Sequence, residues 1–558
     1  MVMLRSGGRI LVDQLLLNGV DLAFGVPGES YLHALDAMYG ENALKFVICR
    51  QEGGVAMMAE AYGKLTGRPG IAFVTRGPGA TNATAGLHIA MQDSTPMILF
   101  IGQVGRGMIE REAFQELDYR RFLSEVTKWT AEIDDPARIP EFVHRAFMTA
   151  TSGRPGPVAL ALPEDMLAEM ADVPDGRPYR AVEAWPSPGD LERLGEAIAK
   201  AERPLLLVGG GGWNEQARED LRKFVEAFDM PTAVGFRRAH LIDNDHRCYM
   251  GDVGIGANPA LLERLKSADL LIVMGSRLSE MTTDGYTRIG LPLPEQTLIH
   301  IHNGAEELGR VYQGELAIHA SMPGMAAALA SLAPPAKRPW AATLDEGRRA
   351  YDGFTAPVTI PGEVQMGEII AWLNEHLPRD AIITNGAGNY CTWPNRFYRY
   401  RGFGTQLGPT SGSMGYGLPA AVGAKIKFPE RMVVCFAGDG CFMMHGQEFA
   451  TACQYDAPII TILVNNGMYG TIRMHQEREY PGRVSGTDLK NPDFVRLAEA
   501  YGGFGARVTR TEEFAPAFEA AQASGKPSII EVMIDPEAIT PKMTLSQIRD
   551  AAGKGRGG

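Results

Sequence analysis

The chain has 558 residues, 45% hydrophobic and 22% charged, with 54 Lys+Arg against 66 Asp+Glu for a net charge of -12. Such a chain is too long for one core and has the makeup of a soluble enzyme of three or four domains; its spread-out acidic balance argues against nucleic acid or an anionic membrane surface as partner. It shows neither a signal-peptide pattern nor an uninterrupted apolar stretch long enough to span a bilayer, so a cytoplasmic protein is expected, and the six cysteines (Cys49, Cys248, Cys391, Cys435, Cys441, Cys453), without a CxxC pair, read as reduced thiols.

From the N-terminus, a helical pattern near Gly8 to Asn18 is followed by short apolar runs at Leu22–Phe24, Phe46–Cys49, Ile71–Val74 and Met97–Ile101, separated by further helical patterns. This alternation predicts a parallel α/β layer over residues 1–172. Polar residues cluster where each strand ends: Gly25 to Glu29, Arg50-Gln51-Glu52, Arg76 to Gly79, and Gly102-Gln103. Parallel strands end at one edge, so these residues define a functional edge. A Pro-rich linker follows, and then a second α/β unit over 189–332 with strands at Leu205–Val208, Leu270–Met274 and Leu298–His302. Its run Gly209 to Gly212 lacks the GxGxxG spacing, and no acidic residue ends the next strand. These glycines read as close packing, or as a phosphate site out of use. A second linker, 333–342, leads to the third unit, 362–540; residues 541–558, ending Gly-Lys-Gly-Arg-Gly-Gly, read as a mobile tail.

Within the third unit, Met432–Ala437 is an apolar run ending in Gly438-Asp439-Gly440, helical spacing begins near Cys441, and Ile459–Val464 ends in Asn465-Asn466. A right-handed crossover brings Asp439 and Asn466 to one edge. A carboxylate and an amide oxygen, with a backbone carbonyl from Gly467-Met468-Tyr469 as a third donor, are hard donors suited to magnesium or calcium, and magnesium bound through so few protein groups completes its octahedron with phosphate oxygens and water. The helix start offers N–H groups to the same anion, so a metal-bound diphosphate is expected, with Cys441 a small space-filler.

These stretches, with FGVPGES at 24–30, CRQEGGVAMMAEAYGKLTGRPG at 49–70, TRGPGATNATAGL at 75–87, IGQV at 101–104, AFQE at 113–116, VTK at 126–128 and SGSMGYGLPAAVGAK at 411–425, resemble the acetolactate (acetohydroxyacid) synthase branch of thiamine-diphosphate enzymes over essentially the full chain. The resemblance implies an α/β protein of three doubly wound parallel-sheet domains: pyrimidine-binding, central and diphosphate-binding. It further implies a homodimer or homotetramer, the cofactor lying between the first domain of one subunit and the third of its partner. Asp439, Asn466 and the Met468 carbonyl are implied as the Mg2+ ligands. Glu52 is implied as the residue that protonates the aminopyrimidine ring. Met414 is the apolar wedge that bends the cofactor and the Gly412 carbonyl holds its exocyclic nitrogen. Asn385, Gly386, Ala387, Gly388, Asn389 and Tyr390 form the diphosphate loop, although the family's Gln and His stand here as Asn389 and Tyr390. Gly438, Gly440, Cys441, Tyr469 and Gly470 complete the cofactor contacts.

The implied reaction decarboxylates pyruvate or a similar 2-oxo acid and joins the resulting enamine to a second carbonyl compound. A non-ligating decarboxylase or lyase of the same superfamily is the alternative. Substrate-facing positions depart from the synthases: Glu29 replaces a glycine and, with Gln103, is a catalytic candidate. His475 stands where the synthases carry tryptophan. Gly28, Phe114, Gln115, Lys128 and His475 are candidate substrate contacts, Lys128 as a carboxylate anchor. Synthases of this branch often bind FAD in the central domain; here Arg277 remains, but the acidic strand end reads His300-Ile301-His302-Asn303, so FAD is expected to be weak or absent.

Overall fold

The computed structural model describes residues 4–555, with side chains to Gly553. Three six-stranded sheets, every pairing in them parallel, follow one another along the chain. The first contains β1 (Leu22–Gly25), β2 (Lys45–Ile48), β3 (Gly70–Val74), β4 (Met97–Gln103), β5 (Trp129–Glu132) and β6 (Pro157–Pro163) in the order β2-β1-β3-β4-β6-β5. In the central sheet β7 (Pro204–Val208), β8 (Thr232–Val234), β9 (Tyr249–Asp252), β10 (Leu270–Met274), β11 (Thr297–His302) and β12 (Leu316–His319) run β9-β8-β7-β10-β11-β12. The third holds β13 (Ile382–Asn385), β14 (Gln406–Leu407), β15 (Val433–Gly438), β16 (Ile460–Asn465), β17 (Phe504–Val508) and β18 (Ser528–Met533) as β14-β13-β15-β16-β18-β17.

The first and third sheets therefore share one strand order, a relationship that their residues do not reveal by alignment. Interior strands such as β4, β6, β7 and β15 are buried at every position. Apolar side chains on both faces are what helix layers on each side require. The central sheet reverses its strand order once, between β7 and β10; the first and third reverse between β1 and β3 and between β13 and β15, and again where their last two strands in chain order are transposed at the sheet edge. Each of the three interior reversals opens a crevice at the carboxyl edge.

The domains are joined by buried charge. Helix α1 (Glu52–Thr66) carries Glu60 and Lys64; Lys64 pairs with Glu60 at 3.0 Å and with Asp93, the last residue of α2 (Gly77–Asp93). Arg238 of the central domain reaches Asp93 at 3.7 Å, and from the third domain Tyr416 donates to Glu60 at 2.5 Å. Burial alone would raise the Asp93 carboxyl, but Lys64 and Arg238 outweigh it and hold the group below its ordinary value. Around this network α1 packs on α3 (Gly417–Lys427), where a Cβ on Gly423 would lie 3.2 Å from the backbone of Met58.

The glycine run of the central domain is accounted for by packing. Gly211 faces the carbonyl of Ser94 in the first domain so closely that a Cβ there would overlap it, and Gly210 stands in the same relation to Gly275.

The chain end differs from the loose tail expected. Residues Leu545–Gly555 form helix α6, which lies on α5 (Gly470–Glu479); residues 556–558 are outside the described part. Leu545 and Ile548 are buried with Ile539 against Met474, and Arg549 grips both carboxylate oxygens of buried Glu477 at 2.8 Å each. The two apolar residues at helical spacing are easily overlooked before a glycine-rich ending. The Arg549 bonds, and then Gly482 N–H and Arg473, hold the Glu477 carboxyl down at about 2 against the opposing effect of burial. Because this value lies below the free value of about 4.3, the clamp contributes fully above that pH and is lost as pH falls towards 2. We expect Arg549→Gln to cost about 1 kcal/mol of local stability, seen at neutral pH as faster amide exchange confined to residues 535–555.

Candidate active site

At the crevice between β13 and β15 the third domain encloses a cavity of about 230 Å3. Its floor is the carboxyl edge of the sheet. Loops after β13, β15 and β16 supply Ala387 to Tyr390, Gly438 to Cys441, and Asn466 with Met468 to Gly470; Gly412 and Met414 form one wall. Trp393, Ile534, Ala538 and Ile539 close the apolar side. Helix α4 (Asp439–His445) starts at Asp439, slightly earlier than the periodicity predicted, and breaks at Gly446 before a second short helix.

Asp439 is buried, and burial raises its carboxyl. Its Oδ2 accepts from Asn491 Nδ2 at 2.7 Å and from Gly467 N–H at 3.0 Å; both bonds go to the same oxygen. Asn491 also donates to Asn465 Oδ1 at 3.1 Å, and Asn465 in turn donates to Glu531 at 2.8 Å. The first asparagine of the pair therefore braces the strand end and the second, Asn466, faces the cavity. Asn466 Oδ1 accepts from Met468 N–H at 3.3 Å, and the Met468 carbonyl accepts from Gly470 N–H at 2.9 Å, which leaves a lone pair on each oxygen. Among the described residues no group of three His, Cys, Asp or Glu could hold a metal. One carboxylate, one amide and one carbonyl suit a hard cation that brings its own phosphate and water oxygens.

The loop after β13 and the turn at Gly440 both depend on glycine. Gly388 has φ 143°, which side chains avoid, and a Cβ on Gly440 would lie 2.6 Å from the Tyr469 ring. Tyr390 turns away from the cavity mouth, its hydroxyl accepting from Gly386 N–H at 3.0 Å and meeting Cys441 Sγ at 3.0 Å. Gly415 N–H donates to the same sulfur at 3.1 Å, so Cys441 is a packed buttress. Asn389 is engaged by Thr471 at 2.7 Å and by the Ile539 carbonyl at 3.1 Å, tying the loop to the chain's closing segment. Asn385 is wholly buried behind it, with Oδ1 unpartnered.

Glu52 lies elsewhere, at the edge of the first sheet. Gln51 caps α1 by accepting from Gly53 and Gly54 N–H, and Asn82 Nδ2 donates to Glu52 Oε2 at 3.0 Å. The preceding turn is fastened across the domains by Glu448, which accepts from Gln51 N–H at 2.9 Å and Arg50 N–H at 3.0 Å; burial raises this carboxyl. None of the residues lining the third-domain cavity comes from the first domain.

Two expected contacts are corrected. Lys128 precedes β5 at the amino edge of the sheet, opposite the functional one, and donates to the Thr149 and Ser152 carbonyls at 2.5 and 2.6 Å. Burial lowers it to about 8, and it cannot anchor a substrate at the other edge. Gln103 is buried with its amide used up: Nε2 donates to Leu117 O at 2.9 Å and Oε1 accepts from Val104 N–H at 3.0 Å. It supports the 110–117 loop instead of meeting substrate. Gly28 and Glu29 follow β1 at the crevice of the first sheet, Phe114 and Gln115 lie on the adjoining loop with Phe114 72% exposed, and His475 is on the exposed face of α5. Asn491, Asn82 and Glu448 were not singled out from sequence; each acts across an element boundary that spacing does not encode.

In the central domain the crevice lies beside a cavity of about 330 Å3 shared with the first domain. His300 is bonded to the Ser276 carbonyl at 2.8 Å, His302 to Gly304, and Arg277 donates to the Gln92 carbonyl at 2.9 Å. The strand end thus presents imidazoles already bonded to backbone groups where a carboxylate could have received an adenosine hydroxyl.

Comparison with known proteins agrees with this layout. Residues 5–122 match the family described as "Thiamine pyrophosphate enzyme, N-terminal TPP binding domain", 191–330 its central domain and 386–532 its C-terminal TPP binding domain. These matches mark a thiamine-diphosphate enzyme. The chain is 33% identical to the acetolactate synthase large subunit of Corynebacterium glutamicum, covering 96% of this chain and 87% of that one. It is 32% identical to the acetolactate synthase isozyme 2 large subunit of Escherichia coli K12, covering 95% and 96%. A probable acetolactate synthase large subunit of Methanocaldococcus jannaschii is 30% identical, covering 96% and 93%. The chain belongs to the acetolactate synthase-like family of thiamine-diphosphate-dependent enzymes.

Asn491 orients Asp439 without facing the anion. We expect Asn491→Ala to weaken Mg2+-dependent binding of thiamine diphosphate by about 10- to 100-fold in calorimetric titration, with Asp439→Asn weakening it further.

Proposed function

We propose that the protein is a carboligase that releases carbon dioxide from pyruvate or a similar 2-oxo acid and joins the remaining acyl unit to a second carbonyl compound. The observation that carries this reading is the Asp439, Asn466 and Met468 donor set at a strand-order reversal, together with Glu52 at the matching edge of the first domain. The relatives' names favour ligation over decarboxylation alone.

When bound, thiamine diphosphate supplies the electron sink for loss of carbon dioxide. Asp439 and Asn466 hold Mg2+, and the glycine-rich backbone at Gly388 and Gly440 receives the diphosphate. Met414 and Gly412 line one wall of the cavity and would hold the organic part of the cofactor there. Ile534, Ile539 and Trp393 keep water from the apolar side. Glu52, steered by Asn82 and by a turn that Glu448 fastens, holds the proton exchanged with the aminopyrimidine ring. Glu52→Gln should retain cofactor binding but slow exchange of the cofactor's reactive C–H by about 10^2- to 10^4-fold, followed by proton NMR, and abolish product formation.

Because no first-domain residue lines the cavity, the complete site in this reading needs Glu52 from a second copy. Met443 and Met444, 51% and 43% exposed on α4, offer apolar surface beside it. A homodimer is the smallest such assembly, and a homotetramer is compatible with it. Glu52→Gln and Asp439→Asn chains, each inactive alone, should recover about a quarter of wild-type activity when co-refolded, since half of the dimers then carry one intact site. No recovery, with mixed dimers present, would refute the shared site.

No helix among the described residues is long and apolar enough to cross a membrane, in keeping with a cytoplasmic enzyme acting on small 2-oxo acids. Activity is proposed to be independent of flavin; purified protein should show no flavin absorbance, and added FAD should leave turnover unchanged.

A further inference from the structure

The carboxyl edge of the first sheet carries a charge arrangement that the reaction outlined above does not use. In sheet order, its strand ends lead to Glu52, Glu29, Arg76, Gln103, Glu164 and Glu132: four carboxylates and one guanidinium. Glu29 and Arg76 flank the crevice where the strand order reverses. Arg76 is 8% exposed, and its Nη2 lies 2.9 Å from Glu164 Oε2 and 3.4 Å from Glu29 Oε1. Its Nη1 reaches the Phe114 carbonyl at 3.5 Å, so the same side chain holds the 110–117 loop.

Glu164 takes the shorter bond and is the more enclosed partner, with 34% of its side chain exposed against 67% for Glu29. One guanidinium between two carboxylates leaves a net negative charge, and it is Glu29 that presents this charge to the crevice. Two donors of the cluster remain unused: Arg76 Nε is buried without a partner, and so is the hydroxyl of Tyr119, itself 2% exposed, with Arg76 and Glu132 among the charges that act on it.

Thr75 and Gly79 lie between this cluster and Glu52. Thr75 Oγ1 is 3.0 Å from Ser30 Oγ, next to Glu29, and a Cβ on Gly79 would lie 3.1 Å from Thr75 Cγ2 and 3.4 Å from Glu52 Oε1.

We propose that Glu29, pinned by Arg76, selects the second substrate: a fixed negative charge at the crevice disfavours another 2-oxo acid anion and favours an uncharged aldehyde. This rests on the carboligase reading above. The balanced reaction is RCOCOO− + R′CHO + H+ → RCOCH(OH)R′ + CO2. The electron pair of the broken bond to the carboxylate ends in the new carbon–carbon bond, and the aldehyde oxygen gains the proton. Glu29 recognises the acceptor, and Arg76 is a positioning residue that acts through it.

The test supplies 13C-labelled pyruvate as donor, with propanal and 2-oxobutanoate competing as acceptors of the same carbon skeleton without and with a carboxylate. Products are counted by NMR with thiamine diphosphate and Mg2+ present. Wild type should favour propanal, and Glu29→Gln should lower that preference about tenfold, or about 1.4 kcal/mol. Raising salt should erode the wild-type preference and leave the Glu29→Gln ratio unchanged, a response that a merely structural role would not produce. Arg76→Gln should lower the ratio in part, because an unpinned carboxylate turns into water, and Arg76→Lys should restore it.

A wild-type preference for 2-oxobutanoate would overturn the assignment in favour of Arg76 as a carboxylate anchor. Equal ratios in wild type and Glu29→Gln would also overturn it. Free acetaldehyde from wild type, lost in Glu29→Gln, would make Glu29 a proton donor instead. Carbon dioxide release identifies these as failures of the acceptor assignment alone; its absence with pyruvate and a panel of 2-oxo acids refutes the carboligase reading itself.

Discussion

Parallel pairing is the constraint on which the rest of this molecule depends. Strands that run the same way begin at one edge and end at the other, so the loops that follow them must meet. Asp439 and Asn466 end neighbouring strands and converge on one cavity although the chain leaves the sheet between them. Glu29 and Arg76 do the same in the first sheet. Where the strand order reverses, adjacent connections pass to opposite faces, and the space between them is a crevice with backbone N–H groups along its rim.

The same constraint explains why a deep site coexists with a rigid frame. Core strands are buried on both faces, and the elements that cross domain boundaries do so through charge. Asp93 is the clearest case, a carboxylate inside the protein that survives because Lys64, Arg238 and Thr410 all reach it. Removing Lys64 or Arg238 would leave the buried carboxylate only partly compensated, which costs more than the intact network contributes. Glu448 likewise fastens the turn before Glu52 to the third domain of the same chain, accepting from the Arg50 and Gln51 N–H groups.

Much of the site was legible beforehand, for a definite reason. Gly-Asp-Gly and Asn-Asn follow apolar β-branched runs, and local spacing is enough to put both at strand ends. The first strands, the linkers and the strand-end polar residues were equally local signals. Other features were not. Lys128 sits in a motif beside functional stretches but belongs to the start of a strand, and the sheet turns it to the wrong edge. Gln103 ends a strand as expected, yet its amide is consumed by Leu117, which only the folded loop brings near. The helix Leu545–Gly555 was obscured by a glycine-rich ending, and its stability comes from Glu477, far from it along the chain.

By itself, then, the sequence determined the class of fold, the three-unit order, the hard oxygen donors at Asp439, Asn466 and Met468, and the position of Glu52 at the start of its helix. These follow from hydrophobic periodicity and from residue chemistry within a few turns of chain. Tertiary structure decided what distance along the chain conceals: the shared strand order of the first and third sheets, Asn491 as the brace of Asp439, and the separation of Glu52 from the cavity of its own third domain. It also decided the pairing of Arg76 with Glu29 and Glu164. Each of these depends on which loops meet at an edge, and sheet topology sets that while local spacing does not.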